Sequence, residues 1–158
     1  MADDLTLLET WCAPLLAKLT AGQRTQVARK IGQALRRSQH QRIVANRAPD
    51  GGSYLPRKRK PGATPIRAKK GRVKRKKDLM FQRISRTAYM KVEASPAAAA
   101  VGFFGRVARI ARVHQEGRTD RINREGRTAR YPVRELLGFT QADKRLVRDL
   151  LIEHLALK

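Results

Sequence analysis

The side chains able to perform acid–base, nucleophilic or metal-binding chemistry are few in this sequence and are far apart. Its thirteen acidic residues are scattered, and its three histidines form neither a His-x-x-x-His pattern nor a Cys/His spacing suited to zinc. His114 falls on the apolar side of a predicted helix, where either a buried general base or a hydrogen-bonded structural histidine would fit. No glycine-rich phosphate loop follows a predicted strand. The sequence therefore predicts a protein that is not an enzyme and has no cofactor or metal.

Positive charge is the most distinctive chemistry of the chain, and it is concentrated in one segment. Residues 57–77, RKRKPGATPIRAKKGRVKRKK, contain twelve lysines and arginines and no acid. Phosphate contacts from such a segment would weaken steeply with added salt. It has no aromatic side chain to stack on bases and no nucleic-acid-binding motif. Three interpretations remain open: a solvated loop, loose contact with DNA, or contact with a partner protein. The candidate contact residues are Arg57, Lys58, Arg59, Lys60, Arg67, Lys69, Lys70, Arg72, Lys74, Arg75, Lys76 and Lys77.

Length and composition indicate one domain, residues 1–158, with a mostly aliphatic core. Hydrophobic residues make up 41% of the chain, charged residues 31% and aromatic residues 5%. The single cysteine, Cys12, excludes an internal disulfide and suits a reducing compartment. The acidic N-terminus lacks the layout of a secretion signal, and no apolar run approaches the roughly 20 residues of a membrane span. We expect a soluble protein that is made inside a cell.

The hydrophobic periodicity predicts an α+β fold, with amphipathic helices packed on a small antiparallel sheet and a long basic loop inserted between them. Thr20 and Gln23 form a predicted capping box, Gly117 is placed to end a helix, and Thr140 and Asp143 are placed to cap another. The predicted elements are an N-terminal helix (1–19), a long helix (20–46), a basic loop (47–78), and then, within 79–158, a short helix, a hairpin near 88–104, a helix near 105–117 and a C-terminal helix.

The segment between the last two predicted helices is polar and is predicted to be irregular. Its arginines are candidates for a subunit interface, although a plain solvated face fits them equally well. Tyr131 and the apolar residues that follow it fit either the core or an interface. The candidate interface residues are Arg118, Arg121, Arg124, Arg127, Tyr131 and Arg134.

Several motifs, taken in order, resemble the phage virion morphogenesis family, also called the tail completion protein S family, of contractile-tailed phages. They are the ARVHQEG helix end, the RYPVRELLG turn and the capped terminal helix, preceded by LRRSQHQRIVANRAPDGGSYLPRK. The resemblance extends over roughly residues 5–157 and rests on the order and spacing of these motifs.

This resemblance implies a structural protein of the virion tail or neck that is assembled in the host cytoplasm and joins the tail to a filled head. It implies a homo-oligomeric ring, most simply a hexamer, at the head-proximal end of the tail, as a tail terminator or a head–tail connector. Tube, sheath or neck proteins would be its partners, and the basic loop would contact DNA or protein. The alternative, based on charge alone, is a nucleic-acid-binding protein without sequence specificity that acts through the basic loop.

Overall fold

The computed structural model describes residues 16–56 and 86–156 without interruption, together with Thr6, residues 10–11 and 13–14, and Met80, Phe81 and Ile84. The described residues between Thr6 and Ala17 are helical. The predicted α+β class is confirmed. Within these ranges the main elements are the helices α1 (Ala21–Val44), α2 (Arg106–Glu116) and α3 (Gln141–Ala156), the antiparallel hairpin β1 (Met90–Ala94) and β2 (Ala99–Phe103), and a short ribbon, β3 (Thr119–Arg121) and β4 (Thr128–Arg130). None of the helices in the described ranges is long and apolar enough to cross a bilayer.

Helix α1 begins at the predicted capping box. The backbone N–H of Gln23 donates to Thr20 Oγ1 over 3.3 Å, and the backbone N–H of Thr20 donates to Gln23 Oε1 over 2.9 Å. The two bonds satisfy two donors that the first helical turn would leave unpaired. The helix ends before Asn46, whose φ of 60° lies in the left-handed region that a helix excludes.

Helix α1 packs across one face of the β1–β2 hairpin. Met90 pairs with Phe103 and Val92 pairs with Val101, and these side chains are buried or half-buried. Lys91 and Glu93, which point the other way, are exposed, so β1 shows the period-two alternation of a half-covered strand and the predicted hairpin is present. The helix and the strand meet at Gly32, where a Cβ atom would overlap Val92 Cγ1. A side chain at this position would therefore force the two elements apart.

The buried side chains form two clusters. The larger contains Ile43, Tyr54, Met80, Phe81, Ile84, Ala111 and Leu136, and the smaller contains Leu19, Val27 and Leu151. The larger cluster joins α1 and α2 to the segments that flank residues 57–79, whereas the smaller one joins α1 to α3. Each fully buried apolar side chain stabilises the fold by about 1.5–3 kcal/mol.

Two local predictions need correction. A short helix was expected near residues 79–84, but Met80, Phe81 and Ile84 are in non-helical conformations, and the φ of Phe81 is 64°. Burial of its aromatic ring offsets this strain, because the ring packs in the larger cluster. The stretch expected to be irregular contains the β3–β4 ribbon, in which Thr119 pairs with Arg130 and Arg121 pairs with Thr128.

We predict that Gly32→Ala lowers the free energy of unfolding by about 1–2 kcal/mol, because the added methyl overpacks the contact with Val92. The matched control is Gly22→Ala in the same helix, where a Cβ meets no atom within 4 Å. That change is expected to be neutral or to stabilise the protein by up to about 1 kcal/mol. Urea unfolding of both variants tests the prediction, and equal midpoints would contradict it.

Candidate assembly surfaces

Arg134 fixes the point at which the basic segment leaves the body of the protein. Its Nε donates to the Leu55 carbonyl over 2.7 Å and its Nη2 donates to the Pro56 carbonyl over 3.2 Å. The side chain is only 5% exposed, and its Nη1 lies 3.1 Å from Nδ1 of His114. The backbone N–H of Arg134 also donates to the His114 carbonyl over 2.7 Å. Residue 57, the first of the basic run, therefore follows immediately on a clamped stretch of backbone.

A row of edge-to-face ring contacts surrounds this clamp. The centroids of Tyr54 and Phe81 are 5.1 Å apart, those of Phe81 and His114 are 4.9 Å apart, and those of His114 and Tyr131 are 5.1 Å apart. Such contacts add about 0.5–1.5 kcal/mol each beyond the burial of their area. His114 is thus packed between aromatic rings, as a structural histidine would be.

Tyr54 also ties the cluster to the segment after β4. Its hydroxyl donates to the Glu135 carbonyl over 3.1 Å. Burial raises the pKa of Tyr54 to about 12, although the charge of Arg42 acts in the opposite direction. The phenol therefore stays protonated, and its hydrogen bond to the backbone is retained, over the whole physiological range.

The chain returns from the basic segment to the same cluster. The backbone N–H of Met80 donates to Asn46 Oδ1 over 3.1 Å, and Met80 and Phe81 are buried. Because Tyr54 and Phe81 are in contact, both flanks of residues 57–79 are fixed side by side on the body. The twelve predicted contact residues of the basic run, Arg57 to Lys77, lie outside the described residues.

Four of the candidate interface arginines are brought together on or beside the β3–β4 ribbon. Arg118, Arg121, Arg124 and Arg127 are all exposed, and so is Arg130. Ile122, near the turn of the ribbon, is 62% exposed. The ribbon thus presents positive charge with one apolar side chain, a combination that suits an acidic protein surface or a polyanion.

An ion pair fixes the ribbon to α2. Arg109 Nη1 lies 2.5 and 2.6 Å from the two carboxylate oxygens of Asp120. The backbone N–H of Arg121 donates to the same carboxylate, and this bond, followed by the Arg109 side chain, holds the pKa of Asp120 below its usual value. Asp120 therefore stays ionised, and its bond to Arg109 is kept, in mildly acidic solution.

The other two candidate interface residues have different environments. Tyr131 is half-buried against His114. Arg134 is buried, and its guanidinium binds backbone carbonyls within the chain, so it is not exposed in the single subunit. There it acts as an anchor for the start of the basic segment. Its assignment to a subunit interface stays a prediction.

Three polar side chains that the sequence pattern did not single out hold the segment after Arg134. Gln115 Oε1 accepts from the backbone N–H groups of Leu136 and Leu137 over 2.7 and 3.0 Å. Gln39 Nε2 donates to the Gly138 carbonyl over 2.8 Å, and Arg42 Nη2 donates to the Leu136 carbonyl over 2.9 Å. One signal was available, because Gln39 interrupts the apolar stripe of α1 between Leu35 and Ile43.

A groove runs along the outer edge of β1. Arg29, Gln33 and Arg36 of α1 line one side of it, and Lys91 and Phe104 contribute to the other. The Lys91 ammonium lies 4.1 Å from the centroid of the Phe104 ring, a cation–π contact. The groove is therefore both basic and apolar. Among the described residues, no group of three or more His, Cys, Asp and Glu side chains is placed to hold a metal ion.

These features define a class: a basic α+β protein whose distinctive surfaces suit contact with other macromolecules. Comparison with known proteins makes the class specific. The phage virion morphogenesis family matches residues 3–156, so the chain belongs to that family. It is similar to "Tail completion protein S" of Escherichia phage P2, with 35% identity over 142 residues, which cover 89% of this chain and 90% of that protein. No solved structure matches the chain.

We predict that Arg134→Met lowers the free energy of unfolding by about 2–4 kcal/mol, because the carbonyls of Leu55 and Pro56 lose their donors while they remain partly buried. The control is Arg124→Met on the exposed ribbon turn, which should change it by no more than about 0.5 kcal/mol. Thermal and urea unfolding measure both variants. An Arg134→Met protein as stable as the control would show that the clamp does not stabilise the fold.

Proposed function

We propose that this chain is a structural tail completion subunit that acts at the head-proximal end of a phage tail and prepares it to join a filled head. The observation that carries the proposal is the similarity to a protein named for tail completion over about nine tenths of both chains. The family match over residues 3–156 agrees with it. The proposed role requires binding surfaces and no catalytic centre.

The described surfaces support assembly into a ring, most simply a hexamer. A closed ring needs two different surfaces on each subunit, so that one copy binds the next in a head-to-tail manner. The β1 groove is one candidate for such a surface. The arginine ribbon carries positive charge, as the groove does, so it suits an acidic neighbour and not the groove itself. The ring would sit against tail tube, sheath or neck proteins, as a tail terminator or as a head–tail connector.

The basic segment has a separate role in this proposal. Its described flanks are fixed to the larger core cluster by Arg134 and Asn46, so the points at which the chain leaves and re-enters the body are set. We expect residues 57–77 to face the central channel or the seam between subunits, where twelve positive charges would meet DNA or an acidic partner. A ring in which this segment points outwards into solvent would refute that part of the proposal.

Phage particles test the main proposal. In a phage that lacks this gene, we expect heads to fill and tails to form, but infectious particles to be absent until the gene is supplied in trans. The chain itself should be found by mass spectrometry in purified tails. A ribbon variant with Arg121→Gln and Arg127→Gln should enter tails less well than wild type, because both exposed charges are lost.

The matched control for the ribbon variant is Arg145→Gln with Arg148→Gln, two exposed arginines of α3. It should be incorporated normally. If infectious particles mature without the chain, or if purified tails never contain it, the proposed function is wrong.

The second candidate function is nucleic-acid binding without sequence specificity, and the charge of residues 57–77 is the observation that favours it. The logarithm of the association constant for duplex DNA should then fall linearly with the logarithm of the salt concentration, with a slope of about −0.9 per phosphate contact. The close contact between Tyr54 and Phe81 makes a deletion feasible, because a short glycine linker can join the flanks. Tight binding at physiological salt that disappears with the deletion would favour this role. Assembly that survives the deletion favours tail completion by the body alone.

A further inference from the structure

In the part of the chain that the structure describes, no other strand pairs with the outer edge of β1. The bonds from Phe104 N–H to the Tyr89 carbonyl and from Ser95 N–H to the Ala98 carbonyl show which residues of the hairpin face each other. Since hydrogen-bonded pairs alternate in an antiparallel hairpin, Met90, Val92 and Ala94 direct their N–H and C=O groups away from β2. Among the described residues, Arg36 reaches this edge, with Nη1 3.5 Å from the Met90 carbonyl. A segment that entered the groove would find donors and acceptors along its floor.

The walls of the groove combine positive charge with apolar surface. Arg29 and Arg36 extend from α1, and Lys91 extends from β1. Phe104, 38% exposed, and Ala94 supply apolar area beside them. The acidic Glu93 is exposed on the same face of β1 as Lys91, but it does not line the groove. The occupant that this surface favours is acidic and carries a large apolar side chain.

The N-terminal segment of the chain has that composition. Residues 1–17 contain Asp3, Asp4 and Glu9 and no lysine or arginine, in a chain with 36 basic and 13 acidic residues. Trp11 in the same segment is 51% exposed in the single subunit. An exposed tryptophan is among the side chains that contribute most at protein interfaces. This segment is therefore complementary to the groove in charge and matches its apolar wall with an apolar side chain.

The C-terminal end of this segment, near Leu16, lies on the other side of α1 from the groove. Leu16 and Leu19 pack with Val27 and Ile31 in the smaller core cluster. At about 100° per residue, Val27 and Ile31 lie on roughly the opposite side of α1 from Arg29 and Gln33. The described end of the N-terminal segment thus packs on one side of α1, and the groove lies on the other. This arrangement matches a head-to-tail contact between copies, the kind of contact that closes into a ring.

We propose that the groove between α1 and β1 binds the acidic N-terminal segment, residues 1–11, of the neighbouring copy of this chain. The proposal rests on the proposed ring and names its subunit contact. Asp3 and Asp4 of one copy pair with Arg29, Arg36 and Lys91 of the next, and Trp11 covers the apolar wall that contains Phe104.

Disulfide trapping between two different chains tests the contact. Both chains carry Cys12→Ser; one adds Asp4→Cys and the other adds Ala94→Cys. After co-assembly in infected cells and mild oxidation of purified tails, we expect a two-chain band on a non-reducing gel that reduction removes. Replacing the second change with Ala142→Cys, on the exposed side of α3, should abolish that band.

Charge exchange provides a second measurement on the full chain. Arg29→Glu with Lys91→Glu should lower incorporation into tails about tenfold, and adding Asp3→Lys with Asp4→Lys should restore it. The control, Lys30→Glu with Arg37→Glu, changes two exposed charges of α1 that do not line the groove and should leave incorporation within about twofold of wild type.

The outcomes separate this inference from the proposed function. If tails contain the chain but no two-chain band forms, or if charge reversal is not rescued by the exchange, the docking contact is wrong and tail completion stands. A disulfide that forms only within one chain carrying both cysteines would show that the segment folds back on its own subunit, which also overturns the contact. If tails never contain the chain, both proposals fall.

Discussion

The buried guanidinium of Arg134 is the interaction on which the arrangement of this protein depends. It donates to the carbonyls of Leu55 and Pro56 and lies beside His114. One side chain therefore joins the segment that follows α1, helix α2 and the segment after β4. The first residue of a run with twelve positive charges follows directly after Pro56. Like charges at such density repel one another and the basic body, and the clamp fixes the chain at the point where that repulsion begins. Arginine suits this task because its planar fork reaches two carbonyls at once.

Other side chains near Arg134 also form hydrogen bonds with the backbone of segments that lack regular structure. Residues 136–138 belong to no helix or strand, yet Gln39, Gln115 and Arg42 satisfy their backbone groups. The start of α3 is fixed in a similar way, because Asp143, 1% exposed, caps the helix through Thr140 and also accepts a hydrogen bond from Ser38 of α1. Buried backbone groups must find partners, and these side chains supply them where no neighbouring strand does. The result is a body in which α1 holds both the core and the loops.

A body of this kind suits a protein that works by contact. The charged surfaces lie at its periphery, on the ribbon and along the β1 edge, whereas Tyr54, Phe81 and the anchoring Arg134 are buried. Membership of the phage virion morphogenesis family agrees with a buried interior that holds the fold and a charged periphery that is free for contacts. Under the proposed function, the interior sets the relative positions of the surfaces, and the surfaces select the neighbours. Changes in the interior would then affect assembly indirectly, through position.

The sequence alone determined the elements whose signals are local. The Thr20–Gln23 box, the alternation in the hairpin, the left-handed Gly117 after α2 and the Thr140–Asp143 cap each depend on residues a few positions apart, and the structure contains all of them. The order of the ARVHQEG, RYPVRELLG and terminal-helix motifs also sufficed to identify the family. The tertiary structure decided the rest: the burial of Arg134, the left-handed Phe81, the ribbon, and the side on which the β1 groove lies. These features depend on contacts between residues far apart in the chain, such as Arg134 with Leu55. The ribbon has no buried face, so its strands lack the alternation that a sequence can display. The periodicity of a sequence indicates which face of a helix or strand is buried. It does not indicate which distant segment covers that face, because that contact forms only in the folded chain.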